Sequence, residues 1–126
     1  MIAFDSNLLI YFIEDIPEFA KKAENTFLQI EKEQGVCSSL VITESLYGNI
    51  TNFEQLGPLL SPSIQIVPVT LQIAELAGQL KVTCAIKNAD AIHLATAIMA
   101  KADKFVTNDQ KLLKKKVPGI EVHGLR

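Results

Sequence analysis

Short apolar runs alternate along this chain with longer stretches in which apolar positions recur every three or four residues. Ile2-Ala3-Phe4 is the first run, and it predicts a buried strand ending at Asp5, followed by a helix or turn over Leu8 to Glu14. Pro17 stands where a helix can begin, and Phe19, Ala23, Phe27, Leu28 and Ile30 keep helical period to about Gln34, with Gly35 as the stop. Val36 to Ser39 predicts a second strand, with a serine capping the next helix over Leu40 to Tyr47. Two prolines and a glycine between Asn49 and Ser63 leave room for one short helix near Phe53 to Leu60.

Beyond that connection the alternation resumes. Ile64 to Val69 is a third strand, and Pro68 places it at an edge or at its own end. Leu71 to Ile86 has helical period, and Asn88 is the candidate cap of an alanine-rich helix over Ala89 to Ala102. Lys104 to Thr107 is a fourth strand, Asp109 to Leu113 a short helix, and Ile120 to Val122 a weak last strand. Strands alternating with helices predict one α/β domain over residues 1–126 with a central, mainly parallel sheet of four to five short strands. In such sheets ligands bind beyond the carboxyl ends of the strands.

Composition changes this picture little. Apolar residues make up 48% and charged residues 21%, which fits an ordinary globular core and excludes a disordered chain. No apolar run approaches the roughly 18 residues of a membrane span. No Lys or Arg precedes Lys21, unlike the basic start of a secretory leader, so a cytoplasmic location without membrane contact is expected. Cys37 and Cys84 lack metal-type spacing and read as reduced, mostly buried residues. The net charge of −2 gives no overall attraction for nucleic acid.

The placement of four acids is more telling. Asp5 ends the first strand, Glu44 lies on the helix after the second, Asp90 enters the alanine-rich helix, and Asp109 follows the fourth strand. The predicted topology brings all four to one sheet edge. Crowded carboxylates raise one another's pKa unless a positive charge sits among them. A hard divalent cation, Mg²⁺ or Mn²⁺, answers that need with oxygen ligands and retained waters. The chemistry that follows is phosphodiester hydrolysis. The plain alternatives are local: Asp5 as cap for Leu8 onward, Asp109 as cap for Gln110 onward, Asp90 as a favourable first-turn acid and Glu44 as a solvated helix residue.

Four blocks make a resemblance specific. "IAFDSNLLIYF", "VITESLYG", "KNADAIHLATAIMA" and "KFVTNDQKL" resemble, in order and spacing, the four motifs of PIN-domain proteins, and the VapC-type toxins of toxin–antitoxin pairs above all. The resemblance covers nearly the whole chain. It implies a three-layer α/β/α fold and an endoribonuclease in which Asp5, Glu44, Asp90 and Asp109 hold one or two Mg²⁺ or Mn²⁺ ions. Ser6 would support Asp5 or a water on the metal, Asn7 would hold the turn, and Thr107 and Asn108 would shape the fourth block. The implied partners are an RNA substrate, a small antitoxin protein and a second copy of the chain. Two departures stand out: the proline-rich Asn49 to Ser63 stretch, and the absence of an aromatic residue shortly after Asp109.

Other functions fit less well. A free-standing PIN nuclease in RNA processing shares the same motifs. A non-catalytic PIN-like scaffold predicts lost acids, and none is lost. A phosphatase of the aspartate type needs a second aspartate where Asn7 stands, and a receiver domain needs a paired-acid set that is missing. Lys111, Lys114, Lys115 and Lys116 fall within six positions after Asp109, either as a solvated face or as a phosphate-contacting patch. His93, one turn after Asp90, is spaced to face the groove and touch substrate, but a lone histidine there is more often a packing or surface residue, and it is not counted as catalytic.

Overall fold

A computed structural model describes residues 1–125. Five strands, β1 (Ile2–Phe4), β2 (Gly35–Ser38), β3 (Ile64–Val67), β4 (Lys104–Val106) and β5 (Glu121–His123), form one sheet in the order β3-β2-β1-β4-β5. Every pairing is parallel, so the sheet is wholly rather than mainly parallel. The six helices are α1 (Ser6–Ile13), α2 (Ala20–Glu33), α3 (Leu40–Ser45), α4 (Leu71–Cys84), α5 (Asn88–Met99) and α6 (Gln110–Leu113).

The alternation of side chains along a strand explains the three layers. Ile2 and Phe4 of β1 enter a core with Leu8, Leu9, Phe27, Ile30 and Val41 from α1–α3. Ala3, between them, enters the opposite core with Ile73, Leu80, Leu94, Ala95 and Leu112 from α4–α6. On the first face, Phe4 meets Phe27 edge-on at 5.7 Å, and Phe27 meets Phe12 at 5.4 Å, which ties α1 and α2 to the central strand. On the second face, Ala91, Ala95 and Ala97 of α5 are small and fully buried, so that helix lies close to the sheet.

Several predicted boundaries move, each for a local reason. α2 starts at Ala20 instead of Pro17, after a turn in which the amides of Phe19 and Ala20 both donate to the carbonyl of Ile16. Its left-handed end residue is Gln34, at φ +70°, and Gly35 instead opens β2. Gly35 is required by space: a Cβ there would lie 2.6 Å from Ile30 Cγ2. Ser39 occupies the cap position of α3 without a capping bond, and Ser38 Oγ accepts from the Leu40 amide instead. Asn88 is the first residue of α5 and Lys87 its cap position. The 53–60 connection forms two separate 3₁₀ turns. β3 lies at the sheet edge, as Pro68 predicted.

Candidate active site

The order in which strands are added reverses at β1: β2 and β3 extend the sheet toward one edge, and β4 and β5 toward the other. In open parallel sheets ligands bind at such a switch point, which here lies at the carboxyl ends of β1 and β4. Phe4 pairs with Val106, so the next residues, Asp5 and Thr107, leave their strands side by side. Thr107 Oγ1 donates to Asp5 Oδ2 at 2.8 Å and accepts from the Asp109 amide at 3.1 Å. One hydroxyl thus joins the first acid to the loop that carries the fourth.

Asp5 is only 3% exposed, and its Oδ1 has no hydrogen-bond partner. Burial pushes its pKa up to about 6; the Thr107 bond and the nearby His93 oppose that, and Asp90 adds to it. It stands in the cap position of α1, but the Leu8 amide is the smallest influence on its pKa and no full capping bond forms, so capping explains little of its placement.

Glu44 is in the opposite condition. Its pKa is lowered, chiefly by the bond from His93, with Ser6 contributing and partial burial opposing. His93 Nε2 lies 2.6 Å from Glu44 Oε1, and Ser6 Oγ donates to the same oxygen at 3.1 Å. Ser6 therefore serves Glu44 and not Asp5. His93, which sequence reasoning left as a packing or surface residue, is 3% exposed and points its ring nitrogen at a carboxylate. Its spacing of three from Asp90 on one helix was the available signal.

Asp90, in the first turn of α5, is half-buried and has a raised pKa, first from desolvation and then from Asp109, with Glu44 also raising it and His93 and Lys87 opposing. Asp109 caps α6, its Oδ1 accepting from the amides of Lys111 at 2.9 Å and Leu112 at 3.2 Å. Asp90 is the hub: Asp109 and then Glu44 raise its pKa, and it in turn raises that of Asp5.

The supporting residues divide. Asn108 Nδ2 donates to Tyr11 Oη at 3.4 Å, linking the fourth loop to α1. Asn7 is exposed in the first turn of α1 and makes no side-chain hydrogen bond, so it does not hold the turn. Lys111, Lys114 and Lys116 are exposed, but Lys115 Nζ donates to the carbonyls of Cys84 and Ala85 at 3.0 Å each. That lysine closes the left-handed end of α4 and is taken out of the surface patch.

Among the described residues, no three His, Cys, Asp or Glu side chains form a ready-made metal cage. Glu44 is turned to His93, and Asp109 uses one oxygen as a cap. The donor set is nonetheless all hard oxygen, and the orphaned Oδ1 of Asp5 lacks a positive partner. That combination fits a hard divalent cation that keeps most of its waters.

A wholly parallel sheet with carboxylates gathered at its switch point defines a class of α/β domains built around an acidic crevice. The PIN domain family model matches residues 2–117, and the chain belongs to that family. Its fold is similar to VapBC2 from Rickettsia felis bound to a promoter DNA fragment, at 21% identity over 100% of both chains and TM-score 0.73. It is also similar to a toxin–antitoxin complex from Klebsiella pneumoniae, at 23% identity over 94% of this chain and 93% of that one, TM-score 0.69. A third similar structure is DNA-bound VapBC from Salmonella typhimurium, at 20% identity over 98% and 96%, TM-score 0.66. No curated protein matches the chain.

Proposed function

We propose that this PIN domain is a Mg²⁺- or Mn²⁺-dependent endoribonuclease, acting as the toxin of a toxin–antitoxin pair. The observation that carries the reading is Asp5: a buried carboxylate with one oxygen unpartnered, at the switch point, electrostatically coupled to the acid hub at Asp90. Asp5, Glu44, Asp90 and Asp109 would hold the cation. When bound, it supplies an activated water and stabilises charge on the scissile phosphate.

The chain's own residues do the rest. Thr107 holds Asp5 Oδ2, so the free Oδ1 is the oxygen available to a ligand. Asp90 and Asp109, on different elements, present negative charge that excludes phosphate until a cation neutralises it. Lys111, Lys114 and Lys116 offer exposed positive charge after the fourth strand, where an RNA backbone can be held beside the crevice.

An antitoxin partner is supported by the three complexes of similar fold and by a groove of about 890 Å³ on the α1–α2 side. Phe12, Phe27 and Leu28 give it an apolar floor, and Asp15, Glu24 and Glu31 with Lys21 a charged, mostly acidic rim. A second copy of the chain is supported by Leu71 and Val82 of α4, 87% and 80% exposed. No helix among the described residues is long and apolar enough to cross a membrane.

The test is cleavage of RNA by purified protein with Mn²⁺, with and without EDTA, for the parent, Asp5→Asn and Asp90→Asn. Activity that needs Mn²⁺ and disappears in both variants is expected. Activity surviving in either one overturns the metal-site assignment. Toxicity on expression, relieved by the same substitutions, distinguishes the toxin from a free-standing nuclease.

A further inference from the structure

We propose that His93 is a positioning residue that acts through Glu44: together with Ser6 it occupies Glu44 Oε1 and so reserves Oε2 for the cation. The inference rests on the metal-dependent reading given above.

Hydrogen-bond accounting carries it. Glu44 Oε1 receives Ser6 Oγ at 3.1 Å and lies 2.6 Å from His93 Nε2, while Oε2 has no hydrogen bond. An ionised carboxylate only accepts, so the ring hydrogen must sit on Nε2. An oxygen already holding two donors has little capacity left for a metal, whereas its twin is unoccupied. Glu44 is thereby set to bind through one oxygen, with its side-chain angles fixed from outside.

The burial of His93 argues that this contact is its purpose. The ring is 3% exposed, and Nδ1 is buried without a partner. An imidazole with half its polar capacity unused is a poorer packing residue than leucine, since burying a polar atom unpaired costs free energy. What the imidazole offers over leucine at this position is the bond to Glu44. The two residues are 49 apart in the chain and sit on α5 and α3, so the bond also sets how far Glu44 stands from Asp90, three residues before His93.

Mn²⁺ binding to the full chain, measured by calorimetry and independent of cleavage, tests the proposal. The variants are His93→Phe, His93→Asn and His93→Gln, each alone and combined with Glu44→Gln, with folding checked by thermal unfolding. The amide of Gln reaches about where Nε2 lies, whereas that of Asn stops near Nδ1. His93→Phe and His93→Asn should weaken Mn²⁺ binding about 10- to 100-fold, the usual effect of losing the residue that orients a ligand. His93→Gln should stay within roughly threefold of the parent, and in the Glu44→Gln background all three should be nearly silent. An equal loss in both backgrounds makes His93 merely structural and overturns the proposal, as does parent-like binding by folded His93→Phe. If His93→Phe does not fold, the Asn and Gln pair decides alone. A parent that fails to bind Mn²⁺ at all overturns the metal reading itself, and this proposal with it.

Discussion

The crevice has two halves built on different principles. Asp5 and Thr107 are carried by adjacent parallel strands, and the ladder that pairs Phe4 with Val106 sets their spacing. Glu44 and His93 are carried by helices on opposite faces of the sheet, and only their side chains meet. The strand half is sealed and holds a carboxylate whose pKa is raised by burial. The helix half is partly open and holds one whose pKa is lowered by hydrogen bonds. A rigid backbone tolerates an acid that resists ionisation, because the core holds it in place regardless of its charge. A helix-borne acid needs partners of its own to stay aimed. The crevice therefore combines a buried anchor with an adjustable arm.

The largest expected effect breaks the anchor. Asp5→Asn should lower Mn²⁺-dependent RNA cleavage on the order of 10³-fold, several kcal/mol of lost transition-state stabilisation. The same change should make the metal-free protein more stable at neutral pH, since a neutral amide replaces a desolvated charge. Glu44→Gln should also impair cleavage but should not stabilise, because its carboxylate is favoured where it stands. Cleavage rates and thermal unfolding in EDTA check both. Equal stability changes in the two variants would erase the distinction between the halves.

Next in size is the hydroxyl that joins β1 to β4. Thr107→Val keeps shape but removes the donor to Asp5 Oδ2, leaving both oxygens of a buried carboxylate unpartnered. A hydrogen bond to a charged group contributes about 1.5–3 kcal/mol, and that loss is expected at pH 7.5 in EDTA. At pH 5, where Asp5 is largely protonated, the loss should shrink. Denaturant unfolding at the two pH values measures it, and a loss independent of pH would mean that the hydroxyl serves packing alone.

A smaller effect reads the anchor's protonation directly. The folded-state pKa of Asp5, about 6, lies above its ordinary 3.8, so the folded chain holds this proton more tightly than the unfolded one. The stabilisation from that proton is complete below pH 3.8 and lost as pH rises through 6. Between pH 5 and pH 7.5 the parent should therefore lose roughly 1 kcal/mol relative to Asp5→Asn in EDTA. A difference that stays flat with pH would show that Asp5 does not carry the shift.

The strand half was far more legible in the sequence than the helix half. A charged residue closing an apolar run, followed by a helix, points to a strand's carboxyl end, and parallel sheets gather such ends together. Asp5 and a mainly parallel sheet of four to five strands follow from that rule; Asp109, beyond Thr107 and Asn108, fits it less directly. The partner of Asp5 does not follow from it, because Thr107 lies 102 residues away and only the ladder's register brings it alongside. The bond from His93 to Glu44 was missed for a related reason. Helical spacing shows that His93 follows Asp90 by a turn, but not that α3 presents Glu44 to that side. Gln34 carries no turn signature despite its positive φ; the crowding of Gly35 against Ile30 is visible only in three dimensions.

The smallest effect separates the lysines that follow Asp109. Lys115 holds the carbonyls of Cys84 and Ala85, at the turn leading into α5 and hence to Asp90 and His93. Lys114 and Lys116 are exposed and make no side-chain hydrogen bond or ion pair. Replacing Lys114 and Lys116 together by Ala should reduce the salt dependence of RNA binding by about 0.7 in logarithmic slope per lysine, with unfolding unchanged. Lys115→Met should do the reverse, costing roughly 1 kcal/mol of stability with little change in slope. Binding titrations across salt concentrations, beside thermal unfolding, distinguish the two outcomes. A steep slope retained without Lys114 and Lys116 would move the RNA path off this edge, whereas a changed slope in Lys115→Met would return that residue to the patch.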